Sequence, residues 1–295
     1  MRWLLHRVFV PEGDVMGINR RNLELVRRRN QRRHFPLADD KLLTKEVLAA
    51  AGVPVAPSLS VFSSFAELGH LAERIDGLDE FVIKPASASG GRGIVVIAGR
   101  DGDGWRTAGG RWIGFDELRR HVADIVFGVY TLDRSDRAII EPRLHPHPFF
   151  ADLWPHGLSD VRIILTDDAP TMSMIRVPTR ASEGRANLHQ GALGLGLDLE
   201  TGCTIRAWHR KRPIATHPDS GSPLLGLQVP GWSALLDIAR RVAAALPLKY
   251  LGLDLVVDRN LGPLVLEVNA RPGLEIQNVT GIPLATRLRE MGALR

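Results

Sequence analysis

The sequence has one cysteine in 295 residues and no hydrophobic run long enough to cross a membrane. A lone thiol, Cys203, excludes an internal disulfide and a cysteine metal cluster, so we expect a protein of the reducing cytoplasm. A membrane helix needs roughly 20 apolar residues, and no stretch approaches that length. The opening residues MRWLLHRVFVPEGD form an apolar run too short and too interrupted for a signal peptide.

The composition is that of a globular protein, with 44% hydrophobic and 24% charged residues, no internal repeat and no low-complexity segment. This length corresponds to one large domain or two ordinary ones. The net charge is +5, and arginines crowd the start of the chain: Arg20, Arg21, Arg27, Arg28, Arg29, Arg32 and Arg33. Such a segment either binds an anionic partner, such as nucleic acid or a membrane surface, or forms a solvated amphipathic helix. No aromatic residues interleave with the arginines, which favours the helix and makes nucleic acid an unexpected partner.

The predicted elements mix helices with strands that lie mostly in adjacent hairpins, which indicates an α+β fold. Helices are predicted from Asp40 to Ala51, from the capping-box pattern Ser64–Glu67 to about Ile75, and over Phe115–Phe127 and Trp232–Leu246. The predicted strands are Phe81–Lys84, Ile94–Ile97, Ala138–Leu144, Val161–Thr166, Thr171–Val177, Leu253–Val257 and Leu264–Val268.

The last predicted hairpin carries polar residues on one face. If Asn260–Leu261 is a two-residue turn, Asp254 lies opposite Glu267. Side chains alternate along a strand, so Asn269 shares the face of Glu267. Three oxygen donors of this kind suit Mg²⁺, or Mn²⁺ in its place. An ordinary solvent-exposed strand accounts for the same polar residues, and a one-residue slip of the pairing would break the alignment.

A lysine ends an apolar strand directly before a glycine-rich loop. Lys84 follows Phe-Val-Ile, and residues 87–93 read SASGGRG. Glycines let backbone amides approach an anion closely, and a lysine adds a compact positive charge. The loop matches neither a Walker A sequence nor a dinucleotide fingerprint. A glycine-rich hairpin tip is the alternative, and the preceding lysine favours a phosphate-binding loop.

Charged residues near the ends of further predicted strands form a third candidate group. They are Glu141, Asp160, Arg162 and Arg176, followed by Arg185 and Asn187 in the loop GRANLHQG. If residues 168 and 169 form the turn, Arg162 falls nearly opposite Ile175. A small loop or a bulge is then needed to bring Arg162 and Arg176 to one face. Cations beside carboxylates and a metal are expected where a triphosphate meets an anionic transition state.

The order of these features resembles the ATP-grasp superfamily, in particular the RimK-like group and the proteins called alpha-L-glutamate ligase-related. The matching segments are MGINRRN (16–22), DDKLLTK (39–45), AGVPVAP (51–57), FVIKPASASGGRGI (81–94), IIEPRL (139–144), SDVRIIL (159–165), MIRVPTRASEGRANLHQGALGLG (174–196), YLGLDLVVD (250–258) and GPLVLEVNARPGLEIQN (262–278). The last of these and the segment ANLHQGA are the most specific.

The resemblance implies two α+β lobes that clamp ATP. The phosphate-loop lobe would span about residues 66–142 and the metal-binding lobe about 143–295. The implied nucleotide-binding residues are Lys41, Lys84, Ser89, Gly90, Gly91, Arg92, Gly93, Glu141 and Asp160, with Glu141 on the adenine and ribose side. The implied Mg²⁺ ligands are Asp254, Glu267 and Asn269. The groups that would hold the transferred phosphate and the tetrahedral intermediate are Arg162, Arg176, Arg185 and Asn187.

One departure from the family pattern concerns the start of the chain. RimK-like ligases carry a separate N-terminal α/β domain before the ATP-grasp core. Here a basic extension over residues 1–35 precedes an ATP-grasp domain over residues 36–295, so we expect that α/β domain to be lacking. Because it normally helps to bind substrate, the resemblance does not carry the identity of the substrates.

The implied activity is ATP- and Mg²⁺-dependent ligation of a carboxylate to an amine through an acyl phosphate. The carboxylate would belong to a small molecule or a peptide C-terminus, and the amine to glutamate or another amino acid. Two alternatives stay open: a kinase-like phosphotransferase of the same fold, and a nucleotide-binding scaffold without turnover. The complete set of candidate metal ligands disfavours the scaffold. The sequence does not indicate an oligomeric state.

Overall fold

The computed structural model describes residues 14–294, which form two antiparallel sheets with helices packed against them. The predicted α+β class is confirmed. The first residues of the basic extension and Arg295 lie outside the described residues. Within the described part of the chain, no helix combines the length and the apolarity that a membrane span requires.

The first sheet has six strands in the order β1-β6-β2-β3-β4-β5, each antiparallel to its neighbours. The strands are β1 Ser60–Phe62, β2 Phe81–Pro85, β3 Val95–Asp101, β4 Gly104–Thr107, β5 Trp112–Ile113 and β6 Ala138–Pro142. The helix Phe115–Val126 packs onto this sheet through Leu118 and Val122, which are fully buried with Phe81 and Ile83. Apolar residues at helical spacing on one side of this helix explain the packing.

The second sheet has seven strands in the order β11-β10-β9-β8-β7-β12-β13. The strands are β7 Asp160–Thr166, β8 Ala169–Val177, β9 Leu193–Leu197, β10 Thr204–His209, β11 Arg212–Ile214, β12 Tyr250–Asp258 and β13 Gly262–Asn269. One face, with Val161 and Leu253, packs on the helix Trp232–Ala245. The opposite face, which alternation assigns to Asp160, Arg162 and Asp254, carries the charged residues.

The basic segment is helical and belongs to the second sheet's packing. It runs as Ile18–Arg21, a π-helical turn Asn22–Val26 and Arg27–Arg29. Leu25 is buried in a cluster with Met16 and Tyr250, whereas Leu23 is 57% exposed. The amphipathic helix expected here is therefore present, although Arg21 is buried as well.

Two short helices close the chain, Ile276–Thr280 and Leu284–Glu290. The first lies directly on β9, where two glycines make room for it. A Cβ at Gly194 would lie 2.5 Å from the Val279 Cγ2 atom, and one at Gly196 would lie 2.8 Å from the Thr280 Cα atom. These glycines serve close packing, since larger residues there would push the helix away from the sheet.

The predicted helix at Asp40 is confirmed as Lys41–Ala50, with the Asp40 carboxylate capping the amides of Leu42 and Leu43. The helix predicted from Ser64 differs: a 3-10 turn Ala66–His70 precedes a single α-helical turn Leu71–Arg74. The Glu67 carboxylate accepts from the Ser63 amide at 2.8 Å, one residue before the predicted cap. The other helical pieces are Pro36–Asp39, Pro148–Leu153 and the 3-10 turns Arg32–His34, Arg180–Ser182 and Leu188–Gln190.

Candidate active site

The hairpin of β12 and β13 places Asp254 directly opposite Glu267, as predicted, but by a different route. The two-residue turn is wrong: Asp258 pairs with Gly262, so three residues connect the strands. The Asp258 carboxylate accepts from the amides of Asn260 and Leu261 at 2.8 and 2.9 Å, which stabilises this longer loop. A bulge before Glu267 then shifts the pairing by one residue and restores the predicted partner.

The hairpin of β7 and β8 brings two arginines to one face. Its turn is Asp167–Asp168, with both residues at positive φ, and a bulge follows between Ile164 and Leu165. Arg162 consequently lies opposite Met174, one residue from the predicted partner, and Asp160 lies opposite Arg176. The predicted turn at residues 168 and 169 is thus shifted by one residue, and the bulge, one of the two features expected to bring both arginines to a shared face, is present.

Four charged side chains form a network of ion pairs on this face. Arg162 donates from Nε and Nη2 to the two oxygens of Asp254, each at 2.6 Å. Arg176 does the same to Asp160 at 2.7 and 2.6 Å, and its Nη2 atom also donates to Asp254 at 2.8 Å. The carboxylates are buried, so each depends on its arginines for charge compensation. Removing one partner from such a buried pair typically costs about 3–5 kcal/mol.

The two carboxylates respond differently to this environment. Burial raises the pKa of Asp160 to about 6 against the opposing effect of Arg176, and the nearby Asp254 adds to the rise. Burial also acts on Asp254, but Arg162 and Arg176 outweigh it and lower the pKa of that carboxyl. Asp254, which accepts from both guanidinium groups, therefore keeps its charge to lower pH than Asp160, which takes up the first proton as pH falls.

Glu267 and Asn269 stand at the accessible edge of the same face. Among residues 14–294, the ion-pair partner of Glu267 is Lys41, whose Nζ atom lies 3.7 Å from Oε1, and the Glu267 side chain is 30% exposed. The Asn269 carboxamide lies 3.4 Å from the Asp254 carboxylate. The three predicted metal-binding residues are thus brought together, and Glu267 and Asn269 are the two with the least engaged oxygens.

This group fits a magnesium ion by its donor chemistry. Two carboxylates and one amide are hard oxygen donors, and Mg²⁺ usually takes one or two carboxylates together with substrate phosphates. The Oδ2 atom of Asp254 accepts from Arg162, Arg176 and Asn269, whereas its Oδ1 atom accepts from Arg162 Nε. A carboxylate oxygen has two lone pairs, so Oδ1 is the atom of Asp254 that is left able to coordinate. Across residues 14–294, no cluster of three or more histidine, cysteine, aspartate or glutamate side chains forms a separate metal site.

Three of the chain's five lysines meet beside this group. Lys84 donates to the Glu141 carboxylate at 2.7 Å, and Lys45 contacts the other oxygen of the same carboxylate. Lys41 donates to the carbonyl of Ala88 at 2.6 Å, at the edge of the glycine loop. Sequence reasoning missed Lys45, although its position one helical turn after Lys41 was a usable signal.

Burial lowers the pKa of Lys45 to about 8, with Lys84 acting in the same direction and Glu141 against it. Acetic anhydride reacts with the uncharged amine, and an ordinary lysine is almost fully protonated at pH 8. We therefore expect acetylation of Lys45 to rise with pH up to about 8 and then level off. Acetylation of a short model peptide with one lysine, added to the same reaction, should keep rising at higher pH. Mass spectrometry of peptides after limited reaction measures both rates, and a Lys45 rate that still climbs steeply above pH 9 would contradict this pKa.

The glycine loop, residues 87–93, lies beside the Lys41–Glu267 pair. Ser89, Gly90, Gly91 and Arg92 are exposed, and Gly93 is half-buried. Gly90 and Gly91 adopt φ of +70° and +77°, a conformation that residues with a Cβ rarely take. Two small pockets flank the Lys41–Glu267 pair. The first reaches Lys45 and Val55, and the second reaches Gly91 and Arg92, so the cleft runs from the lysines to the loop.

Two predicted residues lie apart from this cluster. Arg185 is exposed and pairs with Glu183 at 3.4 Å. The Asn187 side chain accepts from the His189 amide at 3.0 Å and caps a 3-10 turn. Within residues 14–294, no hydrogen bond or ion pair joins either of them to Arg162 or Arg176. Their role at the transferred phosphate stays a prediction.

The chain is similar in sequence to proteins that are named L-glutamate ligases. The chain is 25% identical over 255 residues to the probable alpha-L-glutamate ligase of Mannheimia succiniciproducens, over 86% of this chain and 63% of that protein. A 53-residue stretch is 45% identical to the ribosomal protein bS6--L-glutamate ligase of Escherichia coli, over 18% of this chain and 17% of that protein. The chain thus spans less than two thirds of the length of these curated relatives.

The comparison with solved structures concerns the fold alone. The biotin carboxylase of Campylobacter jejuni superposes with a TM-score of 0.52 at 16% identity, over 87% of this chain and 46% of that protein. The family model for sugar-transfer associated ATP-grasp proteins matches residues 20–293. That match covers nearly the whole chain, from the buried Arg21 to the last helix. The chain therefore belongs to the sugar-transfer associated ATP-grasp family.

Proposed function

We propose that this protein is an ATP- and Mg²⁺-dependent ligase that joins a carboxylate to an amine. The observation that carries the proposal is the cluster of Glu267, Asp254 and Arg162, with Arg176 beside it, on one face of the second sheet, where Glu267 lines a pocket together with Lys41 and Lys45. Membership of an ATP-grasp family and the similarity to a probable alpha-L-glutamate ligase support it. The phosphate-loop lobe would correspond to about residues 66–142 and the metal-binding lobe to about 143–295.

The lysines and the glycine loop would bind the nucleotide. Lys41 and Lys84 would contact its phosphates, and the loop Ser89–Gly93 would close over them with its backbone amides. Glu141 holds Lys84 and Lys45 in place through its two oxygens, so we infer that it orients those ammonium groups at the adenine and ribose side. Asp160 would act through Arg176, which it pairs in a fork.

Asp254, Glu267 and Asn269 would hold Mg²⁺. When bound, the ion would neutralise charge on the β- and γ-phosphates and so favour their reaction. Arg162 and Arg176 keep their guanidinium groups at a fixed place on the sheet because carboxylates anchor them. Such preorganised donors stabilise charge that develops only in the transition state.

The proposed chemistry has two steps. An oxygen of the substrate carboxylate attacks the γ-phosphorus of ATP, the bond to the β–γ bridging oxygen breaks, and ADP leaves. The neutral amine nitrogen attacks the carbonyl carbon of the acyl phosphate, and the proton that this nitrogen loses is taken up by the departing phosphate. The carbon–oxygen bond to phosphate then breaks, which leaves an amide and inorganic phosphate. The chain's part is to position the reactants and to neutralise charge.

A screen of ADP release tests this proposal. The protein is mixed with ATP, Mg²⁺ and pools of carboxylates and amines, and mass spectrometry identifies any product. An amide that forms together with ADP and phosphate is the expected result. A stable phosphoester would instead identify a phosphotransferase. Nucleotide binding without ADP release in any pool would favour the scaffold.

A further inference from the structure

The buried arginine of the basic segment reaches the end of the strand that carries Glu267 and Asn269. Arg21 is 9% exposed. Its Nη1 atom donates to the carbonyls of Pro272 at 2.7 Å and Arg271 at 3.3 Å. Its Nε and Nη2 atoms donate to the Asn22 side chain at 3.1 and 2.7 Å, which fixes the guanidinium plane. Two of these four hydrogen bonds therefore bind the turn after β13, and the other two hold the guanidinium group in place.

Asn30, near the other end of the basic segment, binds Ala270, which lies between Asn269 and the carbonyls that Arg21 contacts. Its carboxamide nitrogen donates to the carbonyls of Tyr250 at 2.6 Å and Ala270 at 3.1 Å. Its oxygen accepts from the Tyr250 amide at 3.0 Å. Asn30 is 3% exposed, so these hydrogen bonds are shielded from water. One side chain therefore ties the start of β12 to the residue that follows Asn269.

The hydrogen bonds from Arg21 and Asn30 begin where the backbone pairing of β12 and β13 ends. The last pair of β12 and β13 is Gly252 with Asn269, so the strand pairing stops at that residue. Beyond it, the carbonyls of residues 270–272 take their hydrogen bonds from Arg21 and Asn30. Buried backbone carbonyls need such partners, and without them the turn would rearrange. Because Asn269 is the residue before this turn, the direction of its carboxamide depends on the same bonds.

The turn also reaches the nucleotide side of the cleft. The Arg271 side chain stacks on Phe35, with 4.9 Å from its guanidinium carbon to the ring centroid. It donates to both oxygens of Asp39 at 2.9 and 3.2 Å. Asp39 directly precedes Asp40, the cap of the helix that carries Lys41. A shift of the turn would therefore move the contacts of Lys41 as well as Asn269.

We propose that Arg21 and Asn30 are positioning residues that set the geometry of the metal-binding end of β13. The inference rests on the proposed function, since it assumes that Glu267 and Asn269 bind Mg²⁺. Two residues of the basic segment thereby gain a role inside the protein instead of at an anionic surface. Groups that orient metal ligands from behind typically change metal affinity about 10–100-fold when they are altered.

The test measures metal and nucleotide binding without turnover. The variants are Arg21→Lys, which keeps the charge but loses the fork, and Asn30→Ala. The matched control is Arg28→Gln, an exposed arginine of the same helical segment. Calorimetry with a nonhydrolysable ATP analogue gives the Mg²⁺ concentration for half-maximal binding and the affinity without Mg²⁺. Hydrogen exchange of the amides of residues 270, 271 and 273 in metal-free protein reports on the turn itself.

We expect Arg21→Lys and Asn30→Ala to raise the required Mg²⁺ concentration at least about tenfold. Affinity without Mg²⁺ should stay within about twofold, exchange at the turn should quicken, and Arg28→Gln should match the wild type. A variant that folds and exchanges normally, with an unchanged Mg²⁺ requirement, would overturn the positioning role. If Asn30→Ala fails to fold, Arg21→Lys decides alone. Wild-type protein that binds the nucleotide with no Mg²⁺ dependence would overturn the proposed function instead, and this role with it.

Discussion

Glu267→Gln is expected to abolish ATP turnover and leave the fold intact. The side chain is 30% exposed, and Lys41, its charged partner in the part of the chain that the structure describes, lies 3.7 Å away, so the loss of its charge should cost little stability. The same loss removes one of only two carboxylates from the proposed metal site. We expect turnover to fall more than about a hundredfold, as for the loss of a preorganised electrostatic group. ADP release under saturating ATP and Mg²⁺ measures the effect.

The neighbouring Glu275 provides the control for this substitution. It follows the same strand but pairs with Asn278 at 3.1 Å, away from the cluster, so Glu275→Gln should keep normal turnover. Thermal unfolding of each variant separates lost chemistry from lost structure. The double variant Glu267→Gln with Asn269→Ala sharpens the test, because it removes the two least engaged oxygen donors. Normal ATP consumption by that purified protein would show that the metal is not held here.

Arg162→Ala is expected to separate nucleotide binding from turnover. If Arg162 acts on charge that develops in the transition state, its loss lowers turnover far more than it lowers ATP affinity. We expect ATP affinity within a few-fold of wild type by calorimetry, and ADP release slower by about a hundredfold or more. A scaffold protein would show no such difference, because it has no turnover to lose.

Arg162→Ala also removes a charge partner of a buried carboxylate, so a conservative variant is needed beside it. Arg162 compensates Asp254, which is buried, so the alanine variant leaves that carboxylate with Arg176 alone. We expect a loss of stability of up to about 3–5 kcal/mol, visible in urea unfolding. Arg162→Lys keeps the charge and loses the fork, so it should be more stable yet still slow. Arg212→Ala, on the exposed edge strand β11, is the control. Unchanged ADP release by Arg162→Lys and Arg162→Ala with the true substrates would remove Arg162 from the mechanism.

Much of the site follows from the sequence because strand alternation is a local rule. Side chains two residues apart share a face, which is why Glu267 and Asn269, and likewise Asp160 and Arg162, were predicted to stand together. The helix cap at Asp40 and the strand before Lys84 also follow from short-range patterns. The opposition of Asp254 and Glu267 was predicted with the wrong turn, and a bulge that no local pattern announces corrected the register.

Tertiary structure decided the contacts between residues that lie far apart in the chain. The Lys45–Glu141 pair joins residues 96 positions apart, and the Arg21 contact with Pro272 spans 251. No local sequence pattern around Lys45 or Arg21 indicates its partner. From its sequence, the basic segment is predicted to be a solvated helix, because no local pattern distinguishes one of its arginines from another. Packing of the segment against the second sheet is what buries Arg21. The alternating pattern of the strands therefore determined which groups share a face. The folding of distant segments onto that face decided which of those groups are held, paired and left open, because burial and charge compensation depend on the whole fold.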